Sequence, residues 1–515
     1  MYYDSKILLG MTENKEDIFI YPKMANRHGL ITGATGTGKT VTLKVMAESF
    51  ADAGVPVFIS DAKGDLAGMC LEGSGNDDMN SRIEYFGLEN KGFDYRKYSV
   101  NFWDVYGERG IALRTTISEM GPLLLARIMG LNENQTDILS IVFRIADENS
   151  LLLIDTKDLK SMLQYVADNS KELSSMYGAL PTASINVIIR AVVALEAAGG
   201  EQFFAEPALN IKDWIRYNED NGHGYIQILE CQKLMLNPKL YSMFLLWMIS
   251  ELYETLPEAG DLDKPRMVFF FDEAHMLFDS APKVLLEKIE QVIKLIRSKG
   301  VGIYFVTQNP KDIPDGVLSQ LGNKIQHALH AYTPGEQKAM KAAADGLRAN
   351  PEFDTYSVLG ELGTGEALIS VLGEDGAPAI VKRAKILPPQ SKMGTIDEST
   401  LNEKINNASL NDKYSTYVDN ESAYERLTKL YSENEEIRKA EEEAEAKEKA
   451  KAKEKSASNK VLKKTAKSVA STTAGTIGRE VGKSLGKSAG GSFGKTLGGN
   501  VGASLFRGIV GTFFK

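Results

Sequence analysis

Apolar positions along the chain fall into short runs separated by stretches with helical spacing. Ile7-Leu8-Leu9-Gly10 and Asp17-Ile18-Phe19-Ile20-Tyr21 read as β-strands, and His28-Gly29-Leu30-Ile31-Thr32-Gly33 is an apolar strand ending in glycine. Helical periodicity follows through Leu43, Val45, Met46 and Phe50, and after Asp52-Ala53-Gly54 a second strand runs from Val55 to Ser60. Strand, helix and strand in this order predict a βαβ unit, hence an α/β fold with a parallel-dominated sheet.

From about Leu66 to His223 the pattern is mostly helical, broken at Gly73-Ser74-Gly75-Asn76 and Ala198-Gly199-Gly200. Strand patterns resume at Gly224-Tyr225-Ile226-Gln227-Ile228-Leu229, so 66–223 reads as an insertion into a core made of 1–65 and 224–390. A helix from about Pro238 to Leu256 leads to Met267-Val268-Phe269-Phe270-Phe271, whose unbroken apolar run suits a strand buried on both faces. A helix from about Pro282 to Ser298 leads to the strand Val301–Val306, and further strands are expected at Lys324–Leu329, Glu366–Val371 and Ala379–Arg383. Pro388-Pro389 closes the core. The segment 391–455 is a polar linker followed by Ala-, Glu- and Lys-rich sequence over Glu421–Lys455, which predicts a long helix, either a solvated spacer or a coiled coil.

In the last segment, 456–515, glycines stand at 478, 482, 486, 490, 494, 498 and 502 beside a parallel apolar series that includes Ile477, Val481, Leu485 and Leu497. Small residues at this spacing let helices approach closely, and the interspersed lysines suit a lipid surface or a phosphate backbone. Glycine is costly in a helix, and a period of four drifts from 3.6. A disordered or conditionally folded tail, a self-associating one and one that contacts lipid or nucleic acid all remain open.

Composition narrows the class. The 515 residues, 43% hydrophobic and 25% charged, are those of an ordinary globular protein, and exclude wholesale disorder or a membrane bundle. Cys70 and Cys231 form neither a disulfide framework nor a zinc pattern, which fits a reducing cytoplasm. Met1–Gly10 lacks a signal-peptide pattern and no run reaches about 18 uninterrupted apolar residues, so neither secretion nor membrane spanning is expected. The net charge of −9 is uneven: 456–515 has ten Lys or Arg against Glu480 alone, or +9, which leaves −18 for the rest. An acidic body argues against whole-surface nucleic-acid binding and leaves room for a local basic channel.

The chemistry begins at Gly33-Ala34-Thr35-Gly36-Thr37-Gly38-Lys39-Thr40, which with Val41 are the candidate nucleotide-binding residues. This is a phosphate-binding loop in its validating context, after a strand and before a helix. Its glycines let backbone N–H groups converge on phosphate oxygens, Lys39 supplies a cation, and Thr40 offers an oxygen to Mg²⁺. Asp272 and Glu273 end the Met267–Phe271 strand, at the sheet edge where ligands of open α/β folds bind. Asp272 is expected to hold Mg²⁺, and Glu273 to orient and deprotonate the water that attacks the γ-phosphate of ATP. Gln308, in Thr307-Gln308-Asn309 after the next strand, could sense the γ-phosphate or simply cap its loop. Candidates for a cation supplied to a neighbour's site are Arg297, Lys324, Arg348 and Arg383. His275 lacks a second histidine at helical spacing and is read as packing rather than metal ligation. Lys63 could contact DNA or pair with Asp61.

The ordered set Gly33–Thr40, Asp61-Ala62-Lys63-Gly64-Asp65, Phe270-Phe271-Asp272-Glu273-Ala274-His275, Val306-Thr307-Gln308 and Gly363-Thr364-Gly365-Glu366-Ala367 resembles the HerA/FtsK superfamily of P-loop ATPases, specifically bacterial proteins with a helicase HerA-like C-terminal domain. The resemblance spans about residues 5–390. It implies a RecA-like core, ATP hydrolysis at subunit interfaces, hexameric rings and translocation along double-stranded DNA. Three departures stand out. About 28 residues precede the first core strand, too few for the N-terminal β-barrel of HerA and so for ring assembly through it. Lys324 and His330 stand where relatives often carry arginine. The glycine-repeat tail has no counterpart in the family's motor core. Two functions follow as expectations: an ATP-driven motor on duplex DNA, or a nucleotide-dependent oligomeric switch or scaffold whose tail recruits a membrane or a protein partner.

Overall fold

The computed structural model describes residues 1–279, 283–416, 418 and 420–465; the glycine series lies outside the described residues. Thirteen strands within them form a single mixed sheet. In chain order these are β1 (Tyr2–Tyr3), β2 (Lys6–Met11), β3 (Asp17–Ile20), β4 (Gly29–Thr32), β5 (Val57–Asp61), β6 (Val100–Asp104), β7 (Ile111–Ala112), β8 (Ile226–Glu230), β9 (Met267–Phe271), β10 (Val301–Thr307), β11 (Asn323–Gln326), β12 (Glu366–Ser370) and β13 (Lys382–Ile386). Their spatial order is β1-β2-β13-β12-β11-β4-β10-β9-β5-β8-β6-β7, with β3 paired to β2. From β11 to β7 every neighbouring pair is parallel, while β12, β13, β1, β2 and β3 add antiparallel pairs at one side.

β9 and β10 read as nearly continuous apolar runs because both faces are covered, and both are buried at every position. Helix α1 (Lys39–Asp52) crosses one face, and Phe50 near its end packs against Phe270 of β9 and Tyr304 of β10 at ring separations of 6.2 and 6.0 Å. On the other face Phe58 of β5 stacks on Trp214 at 4.9 Å. The tryptophans Trp103, Trp214 and Trp247 are all fully buried, as core residues rather than base-stacking platforms.

β6 and β7 come from inside 66–223, a segment whose periodicity looks mostly helical. Short strands such as Val100–Asp104 give too few periods to register, and only pairing with β8 reveals them. The strand expected at Ala379–Arg383 begins three residues later, at Lys382. A turn at Asp375-Gly376 and a single bridge between Leu372 and Pro378 precede it, and Val381 N donates to Arg348 O at 2.8 Å, so the ladder with β12 starts only afterwards.

Backbone contacts divide the chain into two units. The first comprises Met1–Asn132, Ile154–Thr156 and Ala191–Asp419 and holds the whole sheet. The second comprises Glu133–Leu153, Lys157–Arg190 and the chain from Asn420 on, and its described residues are mostly helical. Its long helix Ala423–Thr465 starts with Ala423 N on Leu152 O at 2.9 Å, and is exposed at every position from Glu435 to Lys451. Pairs four residues apart, such as Lys439–Glu435 and Lys449–Glu445, line that stretch, as a solvated helix requires. The run Thr182–Phe203 is long and apolar enough to cross a membrane by length and composition. Its buried positions, Ile185, Ile188, Val192 and Leu195, follow the amphipathic spacing of a core-facing helix.

His28, at the foot of β4, is fully buried, and its ring is matched to the neutral form. Nδ1 accepts from Ile303 N at 3.0 Å, so the proton sits on Nε2, which donates to Ile293 O at 2.9 Å. Burial pushes its pKa from 6.5 down to about 4. Between these two values the unfolded chain binds more protons than the folded one, so stability is lost as the pH falls through that window. The urea midpoint is therefore expected to fall on acidification from pH 7 to pH 5, and to fall less for His28→Asn. Equal pH dependence in both proteins would remove His28 as a source.

Candidate nucleotide site

β4 runs directly into the loop Gly33–Gly38, and α1 starts at Lys39. The loop is pinned at its ends and open at its apex. Ala34 N donates to Ala328 O at 2.8 Å, Thr37 Oγ1 to Ala34 O at 2.8 Å, and Gly365 N to Thr37 O at 3.0 Å. Thr35 and Gly36 are exposed. Gly33 and Gly38 are required here: a Cβ at Gly33 would lie 2.5 Å from His327 Cβ, and Gly38, at φ 114°, packs against Gly365. Lys39 is buried and its Nζ donates to Gly33 O at 2.6 Å and Ala34 O at 3.0 Å. Thr40 and Val41 are half-buried on the first turn, Val41 packing with a cluster that contains Ile83 and Phe86.

The acidic doublet stands one strand away. β10 lies between β4 and β9, with Thr307 level with Thr32 and Phe305 level with Phe271. Ala274 N donates to Val306 O at 2.9 Å, so the chain after β9 turns back along the end of β10. Asp272 N donates to Ser60 Oγ of β5 at 3.1 Å. Burial and the charge of Glu273 push the Asp272 carboxyl up to about 7. A buried carboxylate beside a second one is the donor set that a divalent cation relieves, and with Thr40 it fits Mg²⁺, whose other ligands are phosphate oxygens and water.

Glu273 adopts φ 47°, a left-handed conformation unusual for a residue with a side chain. Its Oε1 lies 2.8 Å from Lys63 Nζ, and its Oε2 lies 3.4 Å from His275 Nδ1 without a hydrogen bond. Burial raises the Glu273 carboxyl, but the hydrogen bond and charge of Lys63 outweigh it and hold the group below its usual range. Burial lowers Lys39, opposed by the charges of Glu273 and Asp272 and reinforced by Lys63, so these four groups share one electrostatic neighbourhood. Among the described residues no three His, Cys, Asp or Glu side chains form a metal cluster by themselves, and His275 Nδ1 sits beside Glu273 Oε2.

Asp61, ending β5, caps its own turn: its carboxylate accepts from Lys63 N at 3.2 Å, Gly64 N at 2.8 Å and Leu66 N at 3.0 Å. The Lys63 side chain therefore pairs with Glu273, not Asp61. Gln308 is exposed directly after β10, between the two halves of the site. Within this chain Arg383 Nη2 pairs with Glu366 at 2.7 Å, Lys324 Nζ donates to Gly346 O at 2.9 Å, Arg348 Nη1 donates to Pro378 O at 2.7 Å, and Arg297 is exposed in a short turn after the helix Lys283–Ile296.

Two residues escaped the sequence reading. His327 lies behind the phosphate loop: its N donates to Thr32 O at 2.7 Å, its Nδ1 donates to Glu366 O at 2.9 Å, and its Nε2 accepts the Thr42 hydroxyl at 2.8 Å. Burial pushes its pKa down to about 4, so it stays neutral beside Lys39. Arg82, on α2 (Asp77–Phe86), places its guanidinium 3.0 Å from where a Cβ of Gly365 would stand, beside the segment that closes on Thr37. No local pattern marks either residue; both are brought in by long-range packing.

The family model for the helicase HerA-like C-terminal domain matches residues 6–515. A protein described as a probable helicase from Methanocaldococcus jannaschii is 33% identical over 141 residues, 27% of this chain and 25% of that protein. The DNA double-strand break repair helicase HerA of Sulfolobus acidocaldarius is 33% identical over 99 residues, 19% of this chain and 19% of that protein. The matched stretches thus span a quarter or less of these relatives' own length. Among solved structures, VirB4 of Thermoanaerobacter pseudethanolicus superposes with a TM-score of 0.47 at 16% identity, over 74% of this chain and 96% of that one. Plasmid coupling protein TrwB in complex with ADP and Mg²⁺ gives 0.48 at 13% identity, over 72% and 88%.

Proposed function

We propose, from the premise that the chain belongs to the helicase HerA-like C-terminal family, that it is an ATP-hydrolysing motor acting on double-stranded DNA as a hexameric ring. The observation that carries the hydrolytic part is the placement of Asp272 and Glu273 one strand from the phosphate loop, in the electrostatic neighbourhood of Lys39. Loop amides at Gly33–Gly38 and the start of α1 bind the phosphates. Lys39 exchanges the carbonyls of Gly33 and Ala34 for phosphate oxygens. Thr40 and Asp272 would hold Mg²⁺, which would supply positive charge to the phosphates as the bond to the γ-phosphoryl group breaks. Glu273 orients the attacking water and accepts its proton, and Gln308 lies where the γ-phosphate would be read. The cation from a neighbouring subunit comes from Arg297, Lys324, Arg348 or Arg383. Buried thiols at Cys70 and Cys231 suit a reducing cytoplasm.

DNA action and ring formation draw on the family and on its helicase relatives. The test is ATP turnover with and without blunt duplex DNA, together with mass photometry in ATP. Duplex-stimulated turnover and a hexamer support the motor. Turnover indifferent to DNA, with liposome binding that is lost on deleting 470–515, supports the switch or scaffold instead.

A further inference from the structure

The water-activating carboxylate of the proposed ATPase is engaged by a cation from the neighbouring strand. Lys63 Nζ lies 2.8 Å from Glu273 Oε1. The other oxygen, Oε2, is buried, makes no hydrogen bond and has His275 Nδ1 at 3.4 Å, and the residue itself is in the left-handed region.

Lys63 has a firm base and a half-exposed side chain. Its turn is clamped by three N–H bonds to the Asp61 carboxylate, and its own carbonyl accepts from the Gln232 side chain. Its side chain is 48% exposed, against 12% for Glu273. A half-exposed ion pair is weak enough to be exchanged for another anion. A polyanion arriving from solvent meets the ammonium first and the carboxylate only afterwards.

We propose that Lys63 is a positioning residue that restrains Glu273, and that phosphate groups of a nucleic-acid backbone release the restraint by taking the Lys63 ammonium. This rests on the ATPase reading above. It gives a physical route by which DNA outside the nucleotide pocket raises hydrolysis within it.

The test uses the full chain and steady-state ATP hydrolysis with Mg²⁺, with and without saturating blunt duplex, for wild type, Lys63→Met, Lys63→Arg and Lys63→Met combined with Glu273→Gln. Lys63→Met is expected to raise the DNA-free kcat by about tenfold, leave the KM for ATP within about twofold, and respond little to duplex. Lys63→Arg retains the charge and brings the DNA-free kcat back toward wild type. The double variant is expected to be as slow as Glu273→Gln alone. A DNA-free kcat for Lys63→Met at or below wild type overturns the proposal, as does a rise that survives loss of Glu273. A wild type that hydrolyses ATP but ignores duplex, beside a faster Lys63→Met, retains the restraint and overturns its release by nucleic acid. Failure of the ATPase reading looks different: turnover in the wild type that is indifferent to Glu273→Gln.

Discussion

Lys39→Ala is expected to lower ATP turnover by about a thousandfold and to weaken nucleotide binding severely. The ammonium is the one cation placed within the phosphate loop, where burial makes its charge count for more than it would in water. Alanine also leaves the Gly33 and Ala34 carbonyls without their donor, so part of the cost is local. Binding measured with a fluorescent ATP analogue, alongside a thermal melt, separates lost affinity from lost fold. Unchanged affinity in a folded variant would refute the phosphate-loop assignment and everything built upon it.

Glu273→Gln is expected to behave differently: kcat falls by about a thousandfold while ATP affinity stays close to wild type. Glutamine keeps the shape and can still face a water, but it cannot accept a proton. The substitution also dissolves the ion pair with Lys63, which is a surface-facing interaction, so the fold is expected to hold. Single-turnover hydrolysis and equilibrium nucleotide binding on the same preparation check both halves. Normal hydrolysis would move the water-activating role elsewhere. Loss of binding would mean that the carboxylate shapes the pocket rather than the chemistry.

The legible parts of this molecule share one property: their information is contiguous. The phosphate loop is readable because its glycines, lysine and threonine are adjacent and flanked by a strand and a helix, and the structure builds that succession from Gly29 to Asp52. The Met267–Phe271 strand and its acidic doublet are readable for the same reason. Lys63 marks the limit. Its neighbours in sequence suggest Asp61 as a partner, but that carboxylate is consumed by backbone N–H groups of its own turn, and the ammonium reaches Glu273 on another strand. His327 lies 285 residues from Thr42, whose hydroxyl its ring accepts. The two short strands β6 and β7 needed a partner edge before their pattern meant anything.

Amino-acid order alone settled which residues could bind phosphate, which could carry negative charge at a strand end, and where most strands and helices run, since each depends on residues within a turn or two of one another. Folding in three dimensions decided that β10 separates the phosphate loop from the acidic doublet, that Lys63 pairs with Glu273 rather than Asp61, and that a neutral histidine buttresses the loop from behind. Those choices come from strand order and close packing between distant segments, and such contacts are set by the burial of whole surfaces, which no local pattern encodes.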